Sequence, residues 1–75
     1  MTNDELAEVA YQSYPNWVDL IKPLVERTNE AGGHILQIKQ KFNGLRFYVQ
    51  SNDVDLHQMI DDAEVKSLSV SPRYS

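Results

Sequence analysis

Apolar positions recur along this chain in two rhythms, helical and alternating, and each rhythm marks out its own elements. From Leu6 through Val9, Ala10 and Tyr14 the spacing is helical. The residues before it, Thr2-Asn3-Asp4-Glu5, have the form of a capping box, with the Thr2 hydroxyl facing the Glu5 amide and the Glu5 side chain reaching back. Pro15 ends or bends this helix, because it has no amide hydrogen and restricts Tyr14 before it. A second helical stripe follows at Trp17, Leu20, Ile21, Leu24, Val25 and Thr28, with Asn16 as its expected cap and Asp19 near the positive end of its dipole. Pro23 lies inside that stripe and predicts a kink or a split. Gly32-Gly33 closes the helix, since glycine tolerates the left-handed conformation at C′.

The rhythm then switches to alternation. His34 to Phe42, Asn43-Gly44, and Leu45 to Ser51 together predict a β-hairpin with a type I′ turn on Asn43-Gly44. That turn sets a register in which Phe42 faces Leu45, Lys41 faces Arg46, Gln40 faces Phe47, Lys39 faces Tyr48, Ile38 faces Val49 and Gln37 faces Gln50. One face then carries Leu36, Ile38, Phe42, Leu45, Phe47 and Val49, with Gln40 as a polar intruder, and it is expected to be core. The other carries Gln37, Lys39, Lys41, Arg46, Tyr48 and Gln50 and faces outward. A third helix, capped by Ser51 or Asn52 and striped by Leu56, Met59, Ile60 and Ala63, runs toward Ser67, and Ser67–Val70 could add a short edge strand. The expected architecture is a small α+β domain of order α-α-β-β-α over residues 1–70. Its helices pack on one face of an antiparallel hairpin, and residues 71–75 form a flexible tail.

Composition narrows the class. With 75 residues and no cysteine, the chain has neither a disulfide framework nor a thiolate metal site, and a domain of this size buries only about 60% of its unfolded surface. Assembly with further copies is one expected source of stability. The acidic start and the lack of an apolar run of about 18 residues predict no signal peptide and no membrane span.

The formal charge of -4 is unevenly spread. Residues 34–51 carry Lys39, Lys41 and Arg46 and no acid, so the hairpin is a basic island in an acidic chain. In the expected register Lys41 lies opposite Arg46, and like charges across a strand pair repel. Lys39, Lys41, Arg46 and Tyr48, with Gln37 and Gln50 on the same face, are therefore the candidate ligand-binding residues: the cations for phosphate or another anion, the Tyr48 ring for stacking. The alternative is a charged face that only contacts solvent or the chain's own acidic helices. Three cations could neutralise only a few phosphates, so sequence-specific nucleic-acid binding is not expected.

Asp53, Asp55, His57, Asp61, Asp62 and Glu64 invite a metal reading, but Asp53-x-Asp55 lacks the glycine and final glutamate of a calcium loop, and acids in a first helical turn answer the dipole. His34 and His57 have no nucleophile motif or phosphate loop beside them, so neither metal, cofactor nor enzymatic activity is expected. Trp17, Phe42 and Phe47 are expected in the core.

From Trp17 to Ser67 the chain resembles a family of small, uncharacterised bacteriophage and prophage proteins. The hairpin Ile38-Lys-Gln-Lys-Phe-Asn-Gly-Leu-Arg-Phe-Tyr-Val49 carries the likeness, with Trp17, Leu20-Ile21 upstream and Ala63-Glu64, Ser67 downstream. Relatives usually have Gly-Gly where this chain has Asn43-Gly44, and often continue into zinc-ribbon cysteines that Ser69-Val70-Ser71-Pro72 lacks, so no zinc role transfers. The resemblance implies a phage origin and a host-cytoplasm location. It assigns no activity; for a phage protein this small and without catalytic machinery, the expected function is that of a non-enzymatic accessory protein that inhibits bacterial anti-phage immunity by stoichiometric binding. The preferred mode is sequestration of a small anionic ligand such as a cyclic nucleotide. One alternative is an acidic, anti-CRISPR-like blocker of a host defence protein that handles nucleic acid, using Asp4, Glu5, Glu8, Asp53, Asp55, Asp61 and Asp62. Another is a small assembly module that contacts its own copies.

Overall fold

A computed structural model describes residues 2–72. Helix α1 spans Asn3–Ser13, and a 3-10 turn follows at Pro15–Trp17. Helix α2 spans Val18–Glu30, strands β1 and β2 span His34–Lys41 and Gly44–Gln50, and helix α3 spans Val54–Ser67. The strands pair antiparallel in a two-stranded sheet, so the domain is α+β in the order α-α-β-β-α. No helix among the described residues is long and apolar enough to cross a membrane.

Local chemistry explains most boundaries. Thr2 Oγ1 accepts from Glu5 N at 3.1 Å while Thr2 N donates to Glu5 Oε1 at 3.0 Å, completing the capping box. Asn3 ties this end to the sheet, its Oδ1 accepting from Ile35 N at 2.8 Å and its Nδ2 donating to Gly33 O at 3.0 Å. Helix α2 closes with paired bonds, Gly33 N to Thr28 O at 2.9 Å and Gly32 N to Asn29 O at 3.1 Å, with Gly32 at φ +68°. Asn16 does not cap α2: its amide donates to Pro72 O at 3.0 Å, and Trp17 occupies the cap position. Pro23 does not split the helix. It lies on the exposed face of an unbroken α2.

The core joins Ala7 and Ala10 of α1, Trp17, and Ile21, Leu24 and Val25 of α2 to Ile35, Leu45 and Phe47 of the sheet and Leu56, Ile60 and Ala63 of α3. Trp17 is fully buried, and its Nε1–H donates to Val70 O at 2.7 Å. That bond holds residues 68–70 as a run of turns over the core, where a short edge strand was expected. Of the expected tail, Pro72 carries the bond to Asn16, and residues 73–75 lie outside the described residues. Val9, expected in the stripe of α1, is exposed, and Ala7 takes the buried position.

The hairpin departs from its expected register. Phe42 and Asn43 form the turn, with φ of 54° and 66°, the sign combination of a type I′ turn. Consequently Lys41 pairs with Gly44, Gln40 with Leu45, Lys39 with Arg46, Ile38 with Phe47 and Gln37 with Tyr48. A bulge between Ile35 and Gln37 shifts the remaining pairs to Ile35 with Val49 and His34 with Gln50. Two core assignments change with it: Ile35 is buried where Leu36 was expected, and Phe42 leaves the core for the tip, 83% exposed. Gln40 is exposed and so needs no buried partner.

Helix α3 supplies the reason for this slip. The amides of Leu45 and Phe47 point away from β1, and α3 side chains accept from both: Ser67 Oγ from Leu45 N at 2.8 Å and Glu64 Oε2 from Phe47 N at 3.2 Å. Gly44 is buried in β2 beneath the end of α3, where a Cβ would come within 2.9 Å of Leu68 Cδ2. Gly44 itself is not at positive φ; Phe42 and Asn43 carry the left-handed conformations of the turn. Gly32→Ala places a Cβ in the left-handed region and is expected to cost about 1–2 kcal/mol. Gly44→Ala meets only the far end of the exposed Leu68 side chain and is expected to cost less than about 1 kcal/mol. Urea denaturation midpoints of the two variants check the contrast.

Candidate functional site on the solvent face of the hairpin

Because the register moves by two positions, the residues expected on the outer face stay there with new neighbours. Lys39, Lys41, Arg46, Tyr48, Gln37 and Gln50 share this face, and the like-charge pair across the strands is Lys39 with Arg46, not Lys41 with Arg46. Tyr48 lies diagonal to Lys39, whose Nζ is 5.7 Å from the ring centroid, and the residue is 41% exposed. Lys41 reaches toward the tip, its Nζ 5.6 Å from the Phe42 centroid. Both ammonium groups thus rest on the negative face of an aromatic ring. Among the described residues neither lysine is in an ion pair.

Arg46 differs. Its Nη1 lies 3.5 Å from Glu64 Oε1, so the carboxylate that closes the edge of β2 with one oxygen holds the guanidinium with the other. The repulsion between Lys39 and Arg46 is relieved inside the chain, and the free positive charge of the face is that of the two lysines. The role of Glu64 was not read from the sequence. Its only available signal is the three-residue spacing from Ser67, which puts both on one side of α3.

The acids considered as metal ligands are spread over separate tasks. Asp53 caps α3, its Oδ1 accepting from Leu56 N at 2.8 Å, and its Oδ2 binds Arg27 Nη2 at 2.6 Å. The cap is therefore Asp53, where Ser51 or Asn52 was expected. The Leu56 amide above all, and then Arg27, hold the Asp53 carboxyl below the ordinary carboxylate range. His57 Nε2 lies 2.8 Å from Ser51 O, and because a carbonyl only accepts, that nitrogen carries a proton. Among the described residues no three His, Asp or Glu side chains gather into a group that could hold a metal ion.

Beyond the edge of β2 lies a cleft of 290 Å³ between the hairpin tip and the end of α3. Phe42, Gly44, Leu45, Val65 and Leu68 line it, with Lys41 and Arg46 on the strand side and Asp61 and Glu64 on the helix side. No spacing in the sequence signals this cleft, since it depends on Phe42 lying at the tip and not in the core. No known protein family, curated protein or solved structure matches this chain.

The lowered Asp53 pKa has a pH consequence. A depressed folded-state value adds stability above the ordinary carboxylate pKa of about 3.9, and that stability is lost as pH falls through the folded value. Asp53→Ala is expected to lower the denaturation midpoint near neutral pH, with the difference from the parent shrinking as the solution is acidified below the ordinary carboxylate range. Parallel urea titrations across that range measure it.

Proposed function

We propose that the protein acts by stoichiometric binding and that the outer face of the hairpin holds a small ligand combining an anionic group with a flat ring, a nucleotide being the chemistry that fits. The observation that carries this reading is the pair of lysines, Lys39 and Lys41, unpaired with any carboxylate among the described residues and set beside the accessible Tyr48 ring in a chain of net charge -4. A nucleotide would place phosphate between the ammonium groups and its base against Tyr48, with Gln37 and Gln50 as flanking hydrogen-bond groups. In the phage setting implied by the hairpin resemblance, such binding would remove a nucleotide signal from a host immune pathway.

A second reading draws on the other sign of charge. Asp4, Glu5, Glu8, Asp55, Asp61 and Asp62 are exposed on α1 and α3, an arrangement suited to blocking a basic groove on a host complex that handles nucleic acid. Asp53 drops out of that surface because Arg27 and the cap of α3 already engage it.

Calorimetry against cyclic and linear nucleotides, at low and at physiological salt, separates the two. The first reading expects a complex that weakens with salt and is lost in Lys39→Glu. It expects Tyr48→Ala to weaken binding roughly 5- to 150-fold, the equivalent of about 1–3 kcal/mol for a stacked base. Glu64→Gln keeps an acceptor for the Phe47 amide while releasing Arg46, so affinity should rise about 2- to 5-fold. A folded sample that binds nothing in the panel rejects this reading and favours the acidic surface.

A further inference from the structure

Phe42 combines two features that a folding chain normally avoids. It is a bulky aromatic residue at positive φ, and it projects from the hairpin tip with 83% of its surface exposed. Glycine-free turns of this kind usually place Asn or Asp in the left-handed positions, as Asn43 does beside it. Beside Phe42 lies the apolar cleft of 290 Å³, whose Val65 and Leu68 walls are 67% and 65% exposed. A projecting ring and a recess of apolar walls therefore stand side by side on one surface.

The charges around the cleft match the same arrangement. Arg46 and Glu64 neutralise each other, leaving Lys41 at the strand side and Asp61 at the helix side, both exposed and neither in an ion pair among the described residues. A two-fold axis over the cleft would carry Lys41 of one copy toward Asp61 of the other, and the reverse contact would form by symmetry. The patch thus sets a projecting ring beside an apolar recess and a cation across from an acid, the elements an isologous two-fold contact requires.

We propose that the hairpin tip and the end of α3 form a self-association surface, on which a second copy of this chain seats its Phe42 in the cleft walled by Val65 and Leu68 while Lys41 and Asp61 pair across the two-fold. Burial of Phe42 in the partner offsets the strained turn, and the added apolar burial suits a domain whose own core is small. The inference does not depend on any ligand of the outer face.

Sedimentation equilibrium of the purified protein, without added ligand, from about 1 µM to 1 mM tests it. The expected result is a mass that rises with concentration from one chain toward two. Phe42→Gly relieves the backbone strain, so its circular dichroism should match the parent while its dissociation constant rises at least about 10-fold. Lys41→Glu and Asp61→Lys should each weaken self-association, because each sets like charges together twice. An equimolar mixture of the two variants should restore a dimer. A single-chain mass across the whole range overturns the proposal, as does an unchanged dissociation constant for Phe42→Gly or a mixture that stays monomeric.

Discussion

A two-stranded sheet has two free edges, and the way α3 covers one of them organises this structure. The amides of Leu45 and Phe47 turn away from β1 and would need water or another acceptor, since a buried unpaired backbone donor costs about 1–3 kcal/mol. Ser67 Oγ and Glu64 Oε2 supply the acceptors. Ser67 is itself fully buried and returns its own proton to Glu64 O at 2.6 Å, so the closure leaves no loose donor. Both acceptors come from one turn of one helix, so the last turn of α3 lies against the outer edge of β2.

The closure has consequences in both directions along the chain. It needs β2 close under the end of α3, which is where Gly44 lies, and it therefore selects the register in which Phe42 and Asn43 form the turn. Local preference favours Asn43-Gly44 at that turn, but the two edge hydrogen bonds from α3, which only the observed register allows, outweigh the strain of a left-handed Phe42. The N-terminal end of α3 is held separately, by Asp53 capping the helix and binding Arg27 of α2. Helix α3 is thus fixed at its start to α2 and in its last turn to β2, and Trp17, bonded to Val70 O, fastens the turns at residues 68–70.

The same closure shapes the surface. Glu64 takes Arg46 out of the basic face while it satisfies Phe47, which leaves Lys39, Lys41 and Tyr48 as the accessible chemistry of the hairpin. It also moves Phe42 from core to tip and opens the cleft against Val65 and Leu68. One carboxylate thereby links fold, charge distribution and the shape of the tip. Three independent motifs would not give such a connection.

The amino-acid sequence by itself determined the elements. The capping box at Thr2, the glycine closure at Gly32-Gly33, the stripes of α2 and α3 and the alternation of Leu45, Phe47 and Val49 all rest on interactions within a few residues, and local spacing records them directly. It also determined that Gln37, Lys39, Lys41, Arg46, Tyr48 and Gln50 share the outer face, because from Gln37 to the turn the register moves by two and each residue keeps its side. Only the tertiary structure decided the pairing partners, the bulge that exchanged Leu36 for Ile35, and the fates of Phe42, Gly44 and Glu64. Those depend on hydrogen bonds and packing between α3 and β2, about 20 residues apart along the chain, and the net of such long-range terms over local turn preference is not written in the spacing of either segment.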